Sequence, residues 1–204
     1  MSSKRPQADD VRRPPPEGVK EAWGGPALPC DMHVWRHPRP EGAAGLCVGA
    51  GSDLPVHWRR SKRLARRIQA LARRERLPHR VWTSPLRRCA DVGRWLRRWG
   101  WQHRLDAALL ELDFGSWEGR RWDEIGAAAL DAWIADFAAH APGGGEALQA
   151  LLTRAAGWQP AEARLVVSHG GWMLARRWRQ QRGQVLPEAA TWPAAPGYGR
   201  CWRL

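Results

Sequence analysis

The sequence predicts an α/β protein, a three-layer sandwich with helices on both faces of a largely parallel central sheet. Three observations carry this. From residue 32 onward, short apolar runs alternate with longer amphipathic ones, the pattern of strand–helix–strand units that feed a parallel sheet. The chain has 204 residues, enough to bury one substantial core and hide roughly 70% of its unfolded surface. Two strand candidates end in histidine-bearing turns, Arg36-His37 and His169-Gly170-Gly171. Ligands of such sheets collect beyond the carboxyl ends of the strands.

Residues 1–30 mix charge with Pro14-Pro15-Pro16, Gly24-Gly25-Pro26 and Pro29 and show no apolar period. They read as a disordered leader ahead of one domain over residues 31–204. Met32–Trp35 is the first strand candidate. Pro38, Pro40 and the glycines of 42–55 make a loop. Residues 58–76 read as a helix, with Leu64, Ile68 and Leu71 at i, i+4 and i+7 and arginine on most other positions. Pro78 stops it, and Arg80–Thr83 is a strand. A second helix runs from Pro85 to about Trp99, with Val92, Trp95, Leu96 and Trp99 on one face and Gly100 as terminator. Residues 102–105 form another strand candidate, and residues 109–119 a loop with aromatic anchors. Residues 122–139 read as an Ala-rich helix broken by Gly143-Gly144-Gly145, and 146–158 as helix again. Residues 164–168 are a β-branched strand, followed by a helix from near Trp172. Residues 180–198 are irregular, and 198–204 form a last strand.

Composition narrows the function classes. No run approaches the roughly 20 apolar residues of a membrane span, and no apolar signal segment opens the chain. The four cysteines, at 30, 47, 89 and 201, have irregular spacing and no C-x-x-C. Free thiols in a reducing cytoplasm are expected, rather than a disulfide framework or a zinc site. The net charge of +13 is unevenly spread. Residues 57–104 hold sixteen Lys/Arg against two Asp/Glu, and residues 105–150 hold two against nine. A solvated helix face and an anion-binding surface both account for the basic half. Fifteen tryptophans stand against one tyrosine and two phenylalanines, and many are expected in the core.

Two imidazoles at two strand ends, the arginines Arg36, Arg87 and Arg88, and the loop carboxylate Glu111 make a set with a specific chemistry. Guanidiniums grip phosphate oxygens bidentately and stay charged. An imidazole lone pair aimed in line attacks phosphorus. A carboxylic acid beside the leaving oxygen protonates it. With arginines neutralising the transition-state charge, no metal or other cofactor is called for.

Four segments, in order, resemble the histidine phosphatase superfamily, whose fold is phosphoglycerate-mutase-like: Arg36-His37; Thr83-Ser84-Pro85-Leu86-Arg87-Arg88; Leu110-Glu111-Leu112-Asp113-Phe114-Gly115-Ser116-Trp117-Glu118-Gly119; and Val166-Val167-Ser168-His169-Gly170-Gly171. The resemblance covers about residues 31–204. It implies that His37 is the nucleophile that becomes phosphohistidine, and that Arg36, Arg88 and His169 bind the phosphoryl group. It implies that Glu111 protonates the leaving alkoxide and then activates the hydrolytic water, and that Ser84 or nearby amides orient Arg88. Arg87 is the alternative register for Arg88. Asp113 and Glu118 compete with Glu111. Trp117 and Phe114 are read as packing anchors.

Pro38, the Gly45-Leu46-Cys47-Val48-Gly49 segment followed by Asp53-Leu54-Pro55, and Gly144-Gly145-Glu146 are similar to the branch of α-ribazole phosphatases of cobalamin synthesis. That branch usually has Gly-Arg-x-Asp where this chain has Gly49-Ala50-Gly51-Ser52-Asp53. The missing arginine bears on the substrate rather than on the chemical step, and Arg39 is a candidate replacement. The expectation is a cytoplasmic, metal-independent phosphatase whose partner is a small phosphorylated metabolite, with no membrane partner and with nucleic acid disfavoured. Two alternatives are carried. One is phosphoglycerate-mutase-type transfer, against which the short segment between Glu111 and His169 argues. The other is a basic module without turnover that binds nucleic acid or an acidic partner through residues 57–104.

Overall fold

A computed structural model describes residues 32–160 and 162–204. The leader expected at 1–30, and Cys30 with it, lies outside the described residues. Five strands form one sheet in the order β3-β2-β4-β1-β5. They are β1 (His33–Arg36), β2 (Arg80–Thr83), β3 (Gln102–Leu105), β4 (Leu165–Ser168) and β5 (Cys201–Arg203). All neighbouring pairs are parallel except β1 with the edge strand β5. This is the α/β sandwich expected from the alternation.

The pleat sorts side chains into two cores. Val34, Trp82 and Val166 face one layer, with Leu151, Leu152, Trp172 and Met173. Trp35, Val81, Leu165 and Val167 face the other, with Leu64, Ile68, Val92 and Leu96. Because successive strand residues point to opposite faces, a strand buried on both sides is apolar throughout. The wholly buried β4 meets that requirement with Leu165, Val166 and Val167, and its last residue, Ser168, satisfies its hydroxyl by donating to the Leu109 carbonyl at 2.8 Å. Trp35, Trp82, Trp101, Trp117, Trp158, Trp172 and Trp178 are buried, so the tryptophan excess does serve the core.

Helix α1 (Trp58–Arg74) buries Ser61, Leu64, Ala65, Ile68 and Ala72. Its N-cap is His57, whose ring accepts from the Arg59 amide, and Arg73 and Arg74 in the last turn complement the helix dipole. Arg59, Arg60, Arg63, Arg66, Arg67, Arg73 and Arg74 are exposed. Helix α2 (Arg87–Arg98) starts after Pro85, because N-cap Leu86 is extended. The helix expected over 122–139 is shorter. A 3₁₀ turn over Trp122–Glu124 is followed by α3 (Ala127–Ala135), with Gly126 as N-cap and no buried residue. Alanine propensity sustains a helix there, but no apolar stripe extends it into the core. Helix α4 (Leu148–Gly157) begins two residues later than expected, since Glu146 is drawn into an ion pair with Arg154 at 2.8 Å. Helix α5 (Gly170–Arg182) begins directly after His169. Among the described residues no helix is long and apolar enough to cross a membrane.

The topology leaves one crevice. Adjacent strands β1 and β4 are followed by helices on opposite faces: α1 packs on the Trp35 side and α5 on the Val34 side. Connections that diverge in this way open a gap beyond the strand ends.

Candidate active site

Parallel register brings the two histidines together. Arg36 pairs with Ser168, so the next residues, His37 and His169, leave the sheet side by side. The His37 amide donates to the Ser168 carbonyl at 3.0 Å. The two rings sit 5.1 Å apart, edge to face. His37 is 4% exposed and His169 fully buried.

The tautomers follow from the partners. His37 Nδ1 is 2.8 Å from the Pro38 carbonyl oxygen, which only accepts, so Nδ1 carries the proton and Nε2 keeps its lone pair. His169 Nδ1 lies 3.2 Å from Arg88 Nε, which only donates, so His169 carries its proton on Nε2. Burial, first, and then the Arg88 charge hold the pKa of both rings well below the ordinary imidazole value, with Arg36 adding to the shift. Both imidazoles are therefore neutral at pH 7.

Of the two arginines opening α2, Arg88 is buried at 1% exposure and Arg87 is exposed, which separates the two registers. Arg88 also donates through Nη1 to the Ser52 carbonyl and through Nη2 to that of Gly49, at 2.8 Å. These carbonyls and His169 orient it. Ser84 does not: its hydroxyl accepts from the Leu86 amide at 3.4 Å. Arg36 stacks on Tyr198, 4.0 Å from guanidinium carbon to ring centroid. Its Nη1 donates to the Pro196 carbonyl at 2.7 Å, and its Nε is buried without an acceptor among the described residues. The Tyr198 ring also lies 5.5 Å from that of His37.

The three carboxylates have separate environments. Glu111 Oε2 accepts from the Gly171 amide in the first turn of α5, at 3.0 Å. A Cβ on Gly171 would collide with Glu111 Oε1, so only glycine lets the carboxylate lie this close to the helix start. Asp113 accepts from the Gly115 amide within its own turn, at 2.8 Å. Glu118 organises the loop over Arg88: it accepts from the amides of Gly51 and Phe114, at 2.9 and 3.2 Å, and from the Ser52 hydroxyl at 2.5 Å. Arg39 is exposed and does not line the cavity beside the site. Phe114 and Trp117 pack with Trp133 as loop anchors.

Several contributors escaped the sequence reading. Tyr198 is the chain's one tyrosine, a singularity that was available as a signal. Arg154 donates to the carbonyls of Ala108 and Leu110, at 3.0 and 2.8 Å, and to that of Glu111 at 3.3 Å, stapling the loop that carries Glu111. A cavity of 430 Å³ opens over Arg36, Glu111, Gly170 and Gly171 and is walled by aromatic and aliphatic side chains. Cys47, Cys89 and Cys201 are free thiols, and burial pushes that of Cys47 up to about 12. Among the described residues no three His, Cys, Asp or Glu side chains are grouped to hold a metal ion.

A doubly wound sheet thus gathers two neutral imidazoles, the half-buried Arg36 and the buried Arg88 at its switch point, the arrangement of an α/β protein with a cationic crevice beyond its strand ends. The family model of the histidine phosphatase superfamily, branch 1, matches residues 32–182, and the chain belongs to that superfamily. No curated protein sequence matches it. Similar solved structures include the VO3 complex of mycobacterial glucosyl-3-phosphoglycerate phosphatase, at 23% identity over 83% of this chain and 88% of that one, with a TM-score of 0.64. YhfR of Bacillus stearothermophilus is similar at 21% identity over 83% and 88%, with a TM-score of 0.65. The α-ribazole phosphatase of Shigella flexneri is similar at 24% identity over 83% and 87%, with a TM-score of 0.62. At these identities the likeness carries the fold.

Proposed function

We propose that the protein is a phosphomonoesterase that works through a phosphohistidine on His37. The observation that carries this reading is the pinned tautomer of His37: its Nδ1 proton is committed to the Pro38 carbonyl, which leaves the Nε2 lone pair as nucleophile beside two guanidiniums. The buried, unpaired Arg36 Nε–H supports it too, because a buried cationic donor without an acceptor fits an anionic oxygen.

In the first step the Nε2 lone pair forms a bond to phosphorus as the P–O ester bond breaks. Arg36 and Arg88 neutralise the equatorial oxygens, and His169 donates to one of them through Nε2–H, which must first leave the Cys89 sulfur 3.5 Å away. Glu111, as the acid, gives its proton to the departing alkoxide. In the second step Glu111, now the base, takes a proton from water, the water oxygen attacks phosphorus, and the P–Nε2 bond breaks to release inorganic phosphate and the neutral imidazole. For the phosphoryl group to reach Arg88, the carbonyls of Ser52 and Gly49 must yield its Nη donors.

The substrate is a small phosphorylated metabolite, and α-ribazole 5′-phosphate is the specific candidate. The segments around residues 45–55 and 144–146, and the fold shared with an α-ribazole phosphatase, support that candidate. Quenching a reaction with labelled ester should trap acid-labile, base-stable protein-bound phosphate that is absent from His37→Ala, and EDTA should not slow turnover. Full turnover by His37→Ala, or isomerisation of a phosphoglycerate without phosphate release, would overturn the proposal.

A further inference from the structure

We infer that the cavity beside the phosphoryl site selects an ester whose leaving alcohol carries an uncharged, flat, apolar body, and that it rejects one bearing a second anion. The inference rests on the phosphatase reading and names the substrate class of that same site.

One wall of the cavity is a cluster of rings, and aliphatic side chains such as Leu46, Leu112 and Leu174 complete the lining. Trp122 and Trp133 stack at 6.4 Å with 13° between their planes. Phe114 meets both edge to face, at 5.6 and 5.9 Å. Phe137 continues the wall at 5.2 Å from Trp133, and Trp192 at 6.1 Å from Phe137. Trp122, Trp133 and Trp192 are only half-buried, so the cluster keeps ring surface open to the cavity. Burying an exposed apolar face against such a wall is favourable in proportion to the area removed from water. A cavity of 430 Å³ falls within the roughly 300–1,000 Å³ of small-molecule sites. It accepts a bicyclic ring system.

Two observations mark this wall as more than packing. Trp133 Nε1 is buried and has no hydrogen-bond acceptor among the described residues, a condition that is unfavourable in a folded protein. The charge inventory is just as one-sided. Among the described residues, the charged side chains that line the cavity are Arg36 and Glu111 alone. Arg36 belongs to the phosphoryl group in the proposed mechanism. A carboxylate or second phosphate on the leaving group would find no further cation, and would lie in an apolar enclosure near the Glu111 carboxyl. Leaving a buried charge unpaired is the strongest form of rejection available to a site.

The test compares alkyl phosphates with similar leaving alcohols, so that selectivity reports the cavity and not leaving-group acidity. The probes are 2-(2-naphthyl)ethyl phosphate, glycerol 1-phosphate and 3-phosphoglycerate. The expected result is a kcat/KM for the naphthyl ester at least tenfold above glycerol 1-phosphate, and 3-phosphoglycerate slowest. Trp133→Ala should raise KM for the naphthyl ester alone. Leu46→Arg, which adds a cation to the cavity lining without emptying the aromatic cluster, should narrow the gap between 3-phosphoglycerate and the naphthyl ester. Equal rates, or a preference for 3-phosphoglycerate with phosphate release intact, would overturn the inference and leave the phosphatase reading standing. No hydrolysis of any ester and no trapped phosphoenzyme would overturn that reading, and the inference with it.

Discussion

His37 and His169 follow the paired residues Arg36 and Ser168 of the parallel β1–β4 ladder, and their rings meet at 5.1 Å. Neither ring reaches the other through a flexible loop. The backbone bond from the His37 amide to the Ser168 carbonyl makes their separation a property of the sheet. The first prediction concerns their charge. Burial and two guanidiniums hold the His37 pKa down, so the lone pair should persist well below pH 6.5. The acid limb of kcat/KM should therefore lie below the ordinary imidazole value. Tyr198→Ala strips cover from His37 and should move that limb upward, toward 6.5, in a pH–rate profile.

Arg88→Ala should act on two readouts at once. It removes three donors from buried acceptors, and the loss of stability should be on the order of 3 kcal/mol in a urea titration. It also removes the charge that depresses the pKa of His37 and His169, so both rings should titrate closer to 6.5 by NMR. Arg87→Ala, at the exposed neighbouring position, should do neither.

Gly171→Ala puts a methyl group where the Glu111 carboxylate now lies. Displacing the acid without removing it should lower kcat by about 100-fold. A control at an open helical position, Gly157→Ala, meets no neighbouring atoms and should leave kcat unchanged.

Acid should destabilise the fold through histidines that are buried neutral. Desolvation pushes the His103 pKa down to about 4, with Arg97 and Arg94 assisting, and His37 and His169 are lowered as well. Below about pH 6.5 the unfolded chain takes up protons that the folded chain refuses, so folding stability falls as pH drops through that value. For His103 the loss stops growing near pH 4, where the folded ring also protonates. His103→Gln should flatten the pH dependence of urea midpoints between pH 6.5 and 4.

Glu118→Ala should release the 49–53 loop, because this carboxylate alone gathers the Gly51 amide, the Phe114 amide and the Ser52 hydroxyl. The expected outcome is faster amide exchange at Gly51 and a changed KM for any phosphomonoester, since the same loop occupies the Arg88 donors.

Strands and most helices were legible because each depends on local pattern. The Leu64 and Ile68 spacing of α1, the apolar run of β4 and the turn before α2 all carry their own signals. The helix expected over 122–139 was overdrawn, because alanine propensity says nothing about where Gly126 and an absent apolar stripe will end it. Ser84, which the family resemblance offers with nearby amides to orient Arg88, instead accepts from the Leu86 amide. The carbonyls that perform that task, Gly49 and Ser52, come from a loop whose sequence offers no sign of the contact.

The order of residues was enough to determine an α/β sandwich, two histidines at strand ends and a supply of arginine and carboxylate, since strand and helix periods and short motifs are properties of neighbours along the chain. Only the tertiary structure decided that Arg88 rather than Arg87 turns inward, that Glu111 rather than Asp113 or Glu118 lies against α5, and that six aromatic residues line one cavity. Those outcomes depend on sheet register, helix packing and the exclusion of water, which are set by parts of the chain that meet only when it folds.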